Sequence, residues 1–345
     1  MFPISETKKF LRLRRLIASA AFLVIFAVLF HLVSGVLRNK RYAPYSMAFY
    51  EEPAGAVDVL LMGSSHMLNA VAPVQMWEEY GLASNNLAQV GQALPETYYA
   101  LWDALRFQRP KLVVVDLYKV IQDSLIGSEL SLHATLDYMP PGLPKLLAPF
   151  DLLPEEARTE YLFDFYVYHS RWKELSAADF RRPDTTEKGA QVLFKVDPRT
   201  TFQVLPATET AEPSAVEVEY LKRIVDLCAE EDIPLLLMAV PYGTPEYDDL
   251  DRQQVVNAMA AYAEEWGVPF VNMMYHLDEL DFDFTTDMAD EYHVNWRGME
   301  KTTTWLGGYL TANYDLPDHR GDPAYQSWEE NVSEYHAYLE ANIPE

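Results

Sequence analysis

The stretch V-D-V-L-L-M-G-S-S-H spans residues 57–66 and joins an apolar run to a small polar turn. A short apolar run that ends at a glycine is typical of a β-strand buried on both faces, and we predict one at Val57–Met62. Gly63 alone would suffice for a turn. The two serines and His66 therefore raise the question of whether this turn presents a reactive serine, the alternative being a loop whose serine caps a helix.

Apolar strands and amphipathic helices alternate on both sides of this stretch. Strands are predicted at Val57–Met62, Ser84–Ala88, Lys111–Leu117, Pro234–Val240 and Val268–Met273, and helices at Pro73–Tyr80, Pro95–Phe107, Ala215–Glu231, Leu250–Trp266 and Trp296–Leu310. This alternation predicts an α/β fold with a parallel sheet that is covered by helices on both faces.

Two parts of the chain depart from the alternation. Residues 119–214 are rich in Tyr, Phe, Leu and Pro, and we predict a mostly helical insertion there, after the third strand. Such an insertion could shape a substrate site or could simply pack against the edge of the sheet. The C-terminal tail, residues 315–345, contains D-H-R-G-D and then a helix-like stretch.

Charge is distributed unevenly along the chain. The formal net charge of the 345 residues is −25, which excludes nucleic acid as a partner because phosphate backbones recruit basic surfaces. Residues 1–41 hold eight basic residues and one acid, so residues 42–345 carry a net charge of −32. We call residues 1–41 the basic head and residues 42–345 the acidic body.

The basic head surrounds an apolar run of 22 residues, Leu16–Leu37. At ~1.5 Å per residue, a helix of this length spans roughly 33 Å, enough to cross a membrane. A buried core helix and a cleaved signal peptide are the alternatives, but the small residues 18–20 lie where cleavage would not occur. Basic residues are more numerous before the run than after it. We therefore predict a single-pass plasma-membrane protein with residues 1–41 as cytoplasmic segment and anchor, and residues 42–345 as an extracytoplasmic domain.

Cysteine and histidine usage favours neither disulfides nor metals. Cys228 is the only cysteine, so no intrachain disulfide can form, and its helical setting predicts a small core residue. The histidines outside the two polar loops show no ligand spacing. We therefore predict no metal site and no cofactor.

A second polar motif, D-E-Y-H-V-N at residues 290–295, follows the last predicted strand. In Asp-x-x-His the carboxylate of Asp290 can hold the Nδ1–H of His293, leaving Nε2 free to accept a serine proton. The alternative is a loop that only caps the following helix.

A serine after the first strand and Asp-x-x-His after the last strand of one α/β domain resemble the SGNH/GDSL hydrolase superfamily. The resemblance spans roughly residues 57–117 and 216–310. It implies a flavodoxin-like three-layer fold in which Ser65 is the nucleophile, His293 the general base and Asp290 the orienting carboxylate. His66 is then expected to stabilise the turn or to hold these three residues in place.

The same resemblance implies three donors to an oxyanion. The family takes them from the nucleophile N–H, a glycine N–H after strand two and an asparagine after strand three. Ser65 and Gly91 match the first two, whereas the chain reads Asp-Leu-Tyr-Lys after strand three, which makes Tyr118 the candidate substitute. Asn295 is a further candidate substrate-binding residue, its alternative role being to support the loop or cap the next helix.

A basic anchor, an external SGNH-like domain, Gly-Ser-Ser and Asp-x-x-His-x-Asn together are similar to the D-alanine transfer protein of teichoic acid modification and to alginate O-acetylation proteins. This resemblance implies acyl transfer to or from envelope polysaccharide through an acyl-serine, with a multipass membrane acyltransferase as partner. Two alternatives stay open: a plain carboxylesterase, and a non-catalytic scaffold for such an acyltransferase.

Overall fold

The computed structural model describes residues 4–38, 40–198, 202–244 and 247–344 of the chain. The chain divides into two compact units: one comprises Met1–Lys40 and Thr159–Arg182, and the other comprises Arg41–Arg158 and Pro183–Glu345. The predicted insertion is therefore shared between the units, and its middle part belongs with the N-terminal helix.

Helices account for most of the regular structure among the described residues. The α-helices are α1 (Ile4–Leu37), α2 (Ala43–Tyr50), α3 (Ser65–Ala70), α4 (Pro73–Tyr80), α5 (Leu94–Ala104), α6 (Glu129–Leu136), α7 (Leu143–Leu152), α8 (Arg158–Leu162), α9 (Asp164–Tyr168), α10 (Ala215–Glu230), α11 (Tyr247–Trp266), α12 (Trp296–Asn313) and α13 (Gln326–Asn342). Short 3₁₀ helices lie at Glu155–Ala157, His169–Lys173, Ala177–Phe180, Met273–Tyr275 and Pro323–Tyr325.

The second unit is built on a parallel sheet. Within the described residues its strands are β1 (Val59–Met62), β2 (Ser84–Asn86), β3 (Leu112–Asp116), β4 (Leu235–Ala239) and β5 (Phe270–Asn272), in the order β2-β1-β3-β4-β5. This is the strand order of flavodoxin-like doubly wound folds, in which sites form beyond the carboxyl ends of the strands. The predicted α/β fold class is confirmed.

The edge strand β2 is polar, yet it is as deeply buried as its apolar neighbours. Its sequence is Ser-Asn-Asn, and the side-chain amide of Asn86 donates to the carbonyls of Met67 (2.9 Å) and Val71 (3.1 Å). Buried polar groups are tolerated when their hydrogen bonds are made. Here the bonds also fix α3, the short helix that follows β1.

Two helices lie where the sequence predicted none: α2 precedes the first predicted strand, and α3 begins in the turn after it. They have eight and six residues, too few to display an amphipathic period. The predicted insertion is helical over much of residues 129–180, as expected, but irregular over the described residues from 181 to 214.

The first unit consists of α1 and the segment Thr159–Arg182. Within Lys9–Leu37 of α1, the most apolar stretch of 18 residues has a mean hydropathy of 2.7 and none of it is buried, so this helix is long and apolar enough to cross a membrane, as an anchor or a signal sequence would be. The apolar run predicted at Leu16–Leu37 ends at the same residue as the helix.

Candidate active site

The turn after β1 requires a glycine. Gly63 has φ +141°, and a Cβ at this position would lie 2.9 Å from Cβ of Asp116 at the end of β3. The buried carboxylate of Asp116 accepts hydrogen bonds from the N–H groups of Tyr118 (3.3 Å) and Val240 (3.4 Å). Burial raises the pKa of Asp116 to about 7, although these two N–H groups oppose the shift. The ends of β1, β3 and β4 are therefore held together where sites form in this fold.

The two serines of the turn have different environments. Ser64 is buried, with 1% of its surface exposed, and caps α3 by accepting the N–H of His66 at 3.4 Å. Ser65 is the first residue of α3 and is partly exposed, in contrast to its neighbours. Only Ser65 is therefore placed both to react with a ligand and to meet a base.

A histidine from the loop before α12 meets Ser65. The Oγ of Ser65 lies 2.8 Å from Nε2 of His293, and Nδ1 of His293 lies 3.0 Å from both carboxylate oxygens of Asp290. The three residues assigned to catalysis from the sequence are thus brought together, in the order serine, imidazole and carboxylate that a nucleophile and its base require.

Asp290 is held in its charged form. Burial disfavours that charge, but the hydrogen bond and charge of His293 and the N–H groups of Tyr292 and His293 outweigh it, lowering the pKa of Asp290 to about 2. Both N–H groups donate to Oδ1 at 2.8 Å. A fixed anion on Nδ1 directs the free lone pair of the imidazole to Nε2, the atom that faces Ser65.

Asn295, a candidate substrate-binding residue, has both polar atoms of its side chain engaged within the protein. It is fully buried; its amide nitrogen donates to the carbonyls of Thr286 (2.8 Å) and Met288 (3.1 Å), and its Oδ1 accepts the N–H groups of Arg297 and Gly298. With both polar atoms engaged, Asn295 caps α12 and closes the loop that carries His293. These contacts match the alternative role weighed for it, and substrate binding by Asn295 stays a prediction.

His66 lines the site together with an aromatic stack. Its ring lies face to face with Tyr118, 3.2 Å between centroids and 17° between planes, and 4.8 Å from the ring of His293. The guanidinium of Arg252 lies 4.0 Å from the centroid of the Tyr118 ring, and Tyr242 packs edge-on against that ring. Five segments of the second unit thus meet in this cluster: α3, α11 and the loops that follow β3, β4 and β5.

Burial lowers the pKa of His66 well below its usual range, and the nearby charges of His293, Arg252 and Lys119 act in the same direction. The backbone of Tyr292 opposes this shift. His66 is therefore a neutral ring near neutral pH, and the role of base is assigned to His293 because its Nε2 lies 2.8 Å from Ser65 Oγ.

The proposed oxyanion donors lie at the same edge of the sheet. The segment after β2 continues alongside β1, since the N–H of Leu87 donates to Leu61 O (2.9 Å) and that of Gln89 to Gly63 O (3.2 Å). Gly91 follows two residues later, at the turn before α5. The ring of Tyr118 is stacked between His66 and Arg252, and its assignment as third donor remains a prediction, like that of Gly91.

Sequence reasoning missed several residues of this site. Asp116, Tyr242 and Arg252 belong to separate elements and carry no local motif, so only their tertiary proximity reveals them. Within the part of the chain that the structure describes, no group of three or more His, Cys, Asp or Glu side chains is placed to hold a metal ion.

No family model matches this chain, and no curated protein sequence matches it. Among solved structures, it is similar to a proposed acylhydrolase from Bacteroides fragilis, with 11% identity and a TM-score of 0.40 over 80% of this chain and 97% of that one. It is also similar to an acetyl xylan esterase from the rumen bacterium Butyrivibrio proteoclasticus, with 11% identity and a TM-score of 0.27 over 75% of this chain and 65% of that one. The chemistry assigned to the site accordingly depends on its geometry.

Proposed function

We propose that this chain is a serine-dependent acylesterase or O-acyltransferase that acts on cell-envelope polysaccharide through an acyl-serine intermediate. The observation that carries the proposal is the alignment of Ser65 Oγ, 2.8 Å from His293 Nε2, with His293 Nδ1 3.0 Å from Asp290. Acyl transfer needs a nucleophile, its base and an orienting anion in this order.

The reaction follows from these positions. Ser65 Oγ attacks the ester carbonyl while its proton passes to Nε2 of His293, and Asp290 stabilises the imidazolium that forms. That imidazolium then gives its proton to the departing alkoxide, which leaves the acyl group on Ser65. A hydroxyl of water or polysaccharide next attacks the acyl-serine, and His293 again takes and returns the proton. The N–H groups of Ser65 and Gly91 are proposed to hold the oxyanion.

The proposed location is the outer face of the plasma membrane. Five basic residues precede the apolar run of α1 and three follow it, which favours a cytoplasmic N-terminus. An enzyme tethered there would reach envelope polymers and a membrane-bound acyl donor. A reporter fused after residue 50 tests this topology, and activity of a reporter that works only in the cytoplasm would contradict it.

One observation favours a second candidate function. The residues after β3 read Asp-Leu-Tyr-Lys, without the asparagine that the SGNH resemblance implies there. Losing one oxyanion donor typically costs about 10²–10³ in rate. A chain that keeps the fold but hydrolyses esters poorly would suit a scaffold for a multipass membrane acyltransferase.

The deciding experiment compares the full-length protein with Ser65→Ala on p-nitrophenyl acetate and on acetylated oligosaccharide, with mass spectrometry for acyl-Ser65. Transfer of the acyl group to a sugar hydroxyl supports the transferase, and serine-dependent turnover of the simple ester alone supports a plain carboxylesterase. The scaffold function would be supported if the folded wild-type protein formed no acyl-enzyme and if Ser65→Ala left envelope acylation unchanged in cells.

A further inference from the structure

The segment Thr159–Arg182 of the first unit exposes an unusual number of aromatic side chains. Seven of its 24 residues are Phe, Tyr or Trp. Four of them are largely exposed: Phe163 (58%), Tyr166 (59%), Trp172 (66%) and Phe180 (68%). Clustered exposed apolar surface usually marks a site of contact with a partner or a membrane.

This segment is attached to the C-terminal end of α1. The guanidinium of Arg171 donates to the carbonyls of Leu37, at 2.6 Å, and Arg38, which the end of a helix leaves without intrahelical partners. Arg38 in turn pairs with Asp164. About two turns earlier in α1, the rings of Phe30 and Phe165 lie 5.0 Å apart.

The charge of the segment differs from that of the rest of the body. It contains four basic and four acidic residues and is therefore neutral, whereas residues 42–345 as a whole carry −32. An acidic surface is repelled by anionic lipid headgroups. A neutral, aromatic segment with Arg171 and Lys173 among its rings does not meet this repulsion.

We propose that Thr159–Arg182 is an interfacial membrane anchor, with Phe163, Tyr166, Trp172 and Phe180 inserted among the lipid headgroups at the outer end of α1. The inference rests on the proposed role of α1 as a membrane span. Trp and Tyr favour this depth of the bilayer because an apolar ring and a polar edge are both accommodated there. The contacts of the segment with Leu37 and Arg38 place it at the level where the apolar run ends.

The test uses full-length protein in phosphatidylcholine–phosphatidylglycerol vesicles whose acyl chains carry bromine close to the headgroups. Subtracting the fluorescence of Trp172→Phe from that of the wild type gives the signal of Trp172. The same subtraction with Trp305→Phe gives the signal of Trp305, a partly exposed tryptophan of α12 that serves as the matched control. We expect the brominated lipid to quench Trp172 strongly and Trp305 not at all. Equal, negligible quenching of both, with Trp172 open to acrylamide in water, would overturn the proposal.

A second readout is independent of tryptophan. Phe180→Cys and, as a control on the exposed face of α13, Ala337→Cys are labelled with an environment-sensitive dye, the native Cys228 being buried. A blue shift of the dye at position 180 but not at position 337, in lipid vesicles that contain no other protein, supports lipid contact. A shift that occurs only in native membranes would indicate a membrane protein as the occupant and overturn the lipid assignment. Extraction of the protein by alkaline carbonate would instead show that α1 does not span, a separate failure.

Discussion

Ser65 Oγ lies 2.8 Å from Nε2 of His293, although the two residues are 228 positions apart in the chain. The histidine follows β5, which forms the far edge of the sheet, while Ser65 follows β1 near the other edge. The loop between β5 and α12 must therefore return across the carboxyl ends of the strands. Asn295 and the antiparallel bridge between Met288 and Val294 hold the end of that loop in place.

The two serines should respond differently to substitution. Ser65→Ala removes the nucleophile, and we expect kcat to fall by about 10⁴–10⁶, as in enzymes that use a serine–histidine pair. Ser64→Ala removes the cap of α3 and the 3.4 Å contact of its Oγ with Nδ1 of His66 but leaves Ser65 and His293 in place, so we expect a loss of about 1 kcal/mol in the free energy of unfolding and near-normal kcat. Ester hydrolysis and urea unfolding of both variants measure these effects. A larger loss of kcat in Ser64→Ala than in Ser65→Ala would contradict the assignment of Ser65 as the nucleophile.

The buried ring of His66 should make the second unit sensitive to acid. Because its pKa is lowered in the folded state, the unfolded state binds the proton more readily, and stability falls as the pH drops below about 6.5. His66→Phe keeps a ring against Tyr118 but cannot titrate. Between pH 8 and pH 5 we expect the variant to gain up to about 2 kcal/mol relative to the wild type in urea unfolding.

A constant difference between wild type and His66→Phe at the two pH values would show that His66 titrates normally. His336→Phe is the matched control, because this histidine lies exposed on α13 and faces Glu78. The change in stability difference between pH 8 and pH 5 caused by His66→Phe is compared with that caused by His336→Phe.

Gly63→Ala should damage the site through the backbone. The substitution places a Cβ 2.9 Å from Asp116 in a backbone conformation that L-residues rarely adopt. Strain and overpacking together should lower the free energy of unfolding by roughly 2–5 kcal/mol and misplace Ser65. Gly267→Ala is the control, since that glycine also has positive φ but has nothing within 4 Å of its Cβ position. Similar losses in both variants would mean that the close approach to Asp116 is unimportant.

Glu217 should destabilise the protein at alkaline pH. Burial raises the pKa of Glu217 to about 8. The hydrogen bond from the N–H of Leu94 lowers this pKa, and the charge of the nearby Glu96 raises it further. The contribution of Glu217 to the free energy of unfolding is therefore fully present below about pH 4.5, the normal pKa of a glutamate, and is lost as the pH rises through about 8. Between pH 5 and pH 9, Glu217→Gln should gain on the order of 2–4 kcal/mol over the wild type.

Urea midpoints at the two pH values measure this difference. Glu219→Gln serves as the matched control, because Glu219 lies exposed on the same helix, beside Arg223. If Glu217→Gln showed no greater alkaline gain than Glu219→Gln, the carboxyl of Glu217 would be ionised without penalty in the folded protein.

The sequence by itself determined the sheet and the two polar motifs of the candidate site. β1, β3 and β4 could be predicted because apolar runs bounded by turn residues are local signals, and α4 because Pro73 and Gly81 mark its ends. Ser65 and the pair Asp290–His293 could be proposed because their motifs follow the first and last strands, whose carboxyl ends share one edge of the sheet.

Only the tertiary structure decided how these elements are used. It separated Ser64, buried as a cap, from Ser65, which faces His293, and it assigned Asn295 to capping α12. It also gathered Tyr118 and Arg252 beside His66. Such roles depend on burial and on contacts between residues far apart in sequence, and neither quantity leaves a period or a spacing that a single sequence can show.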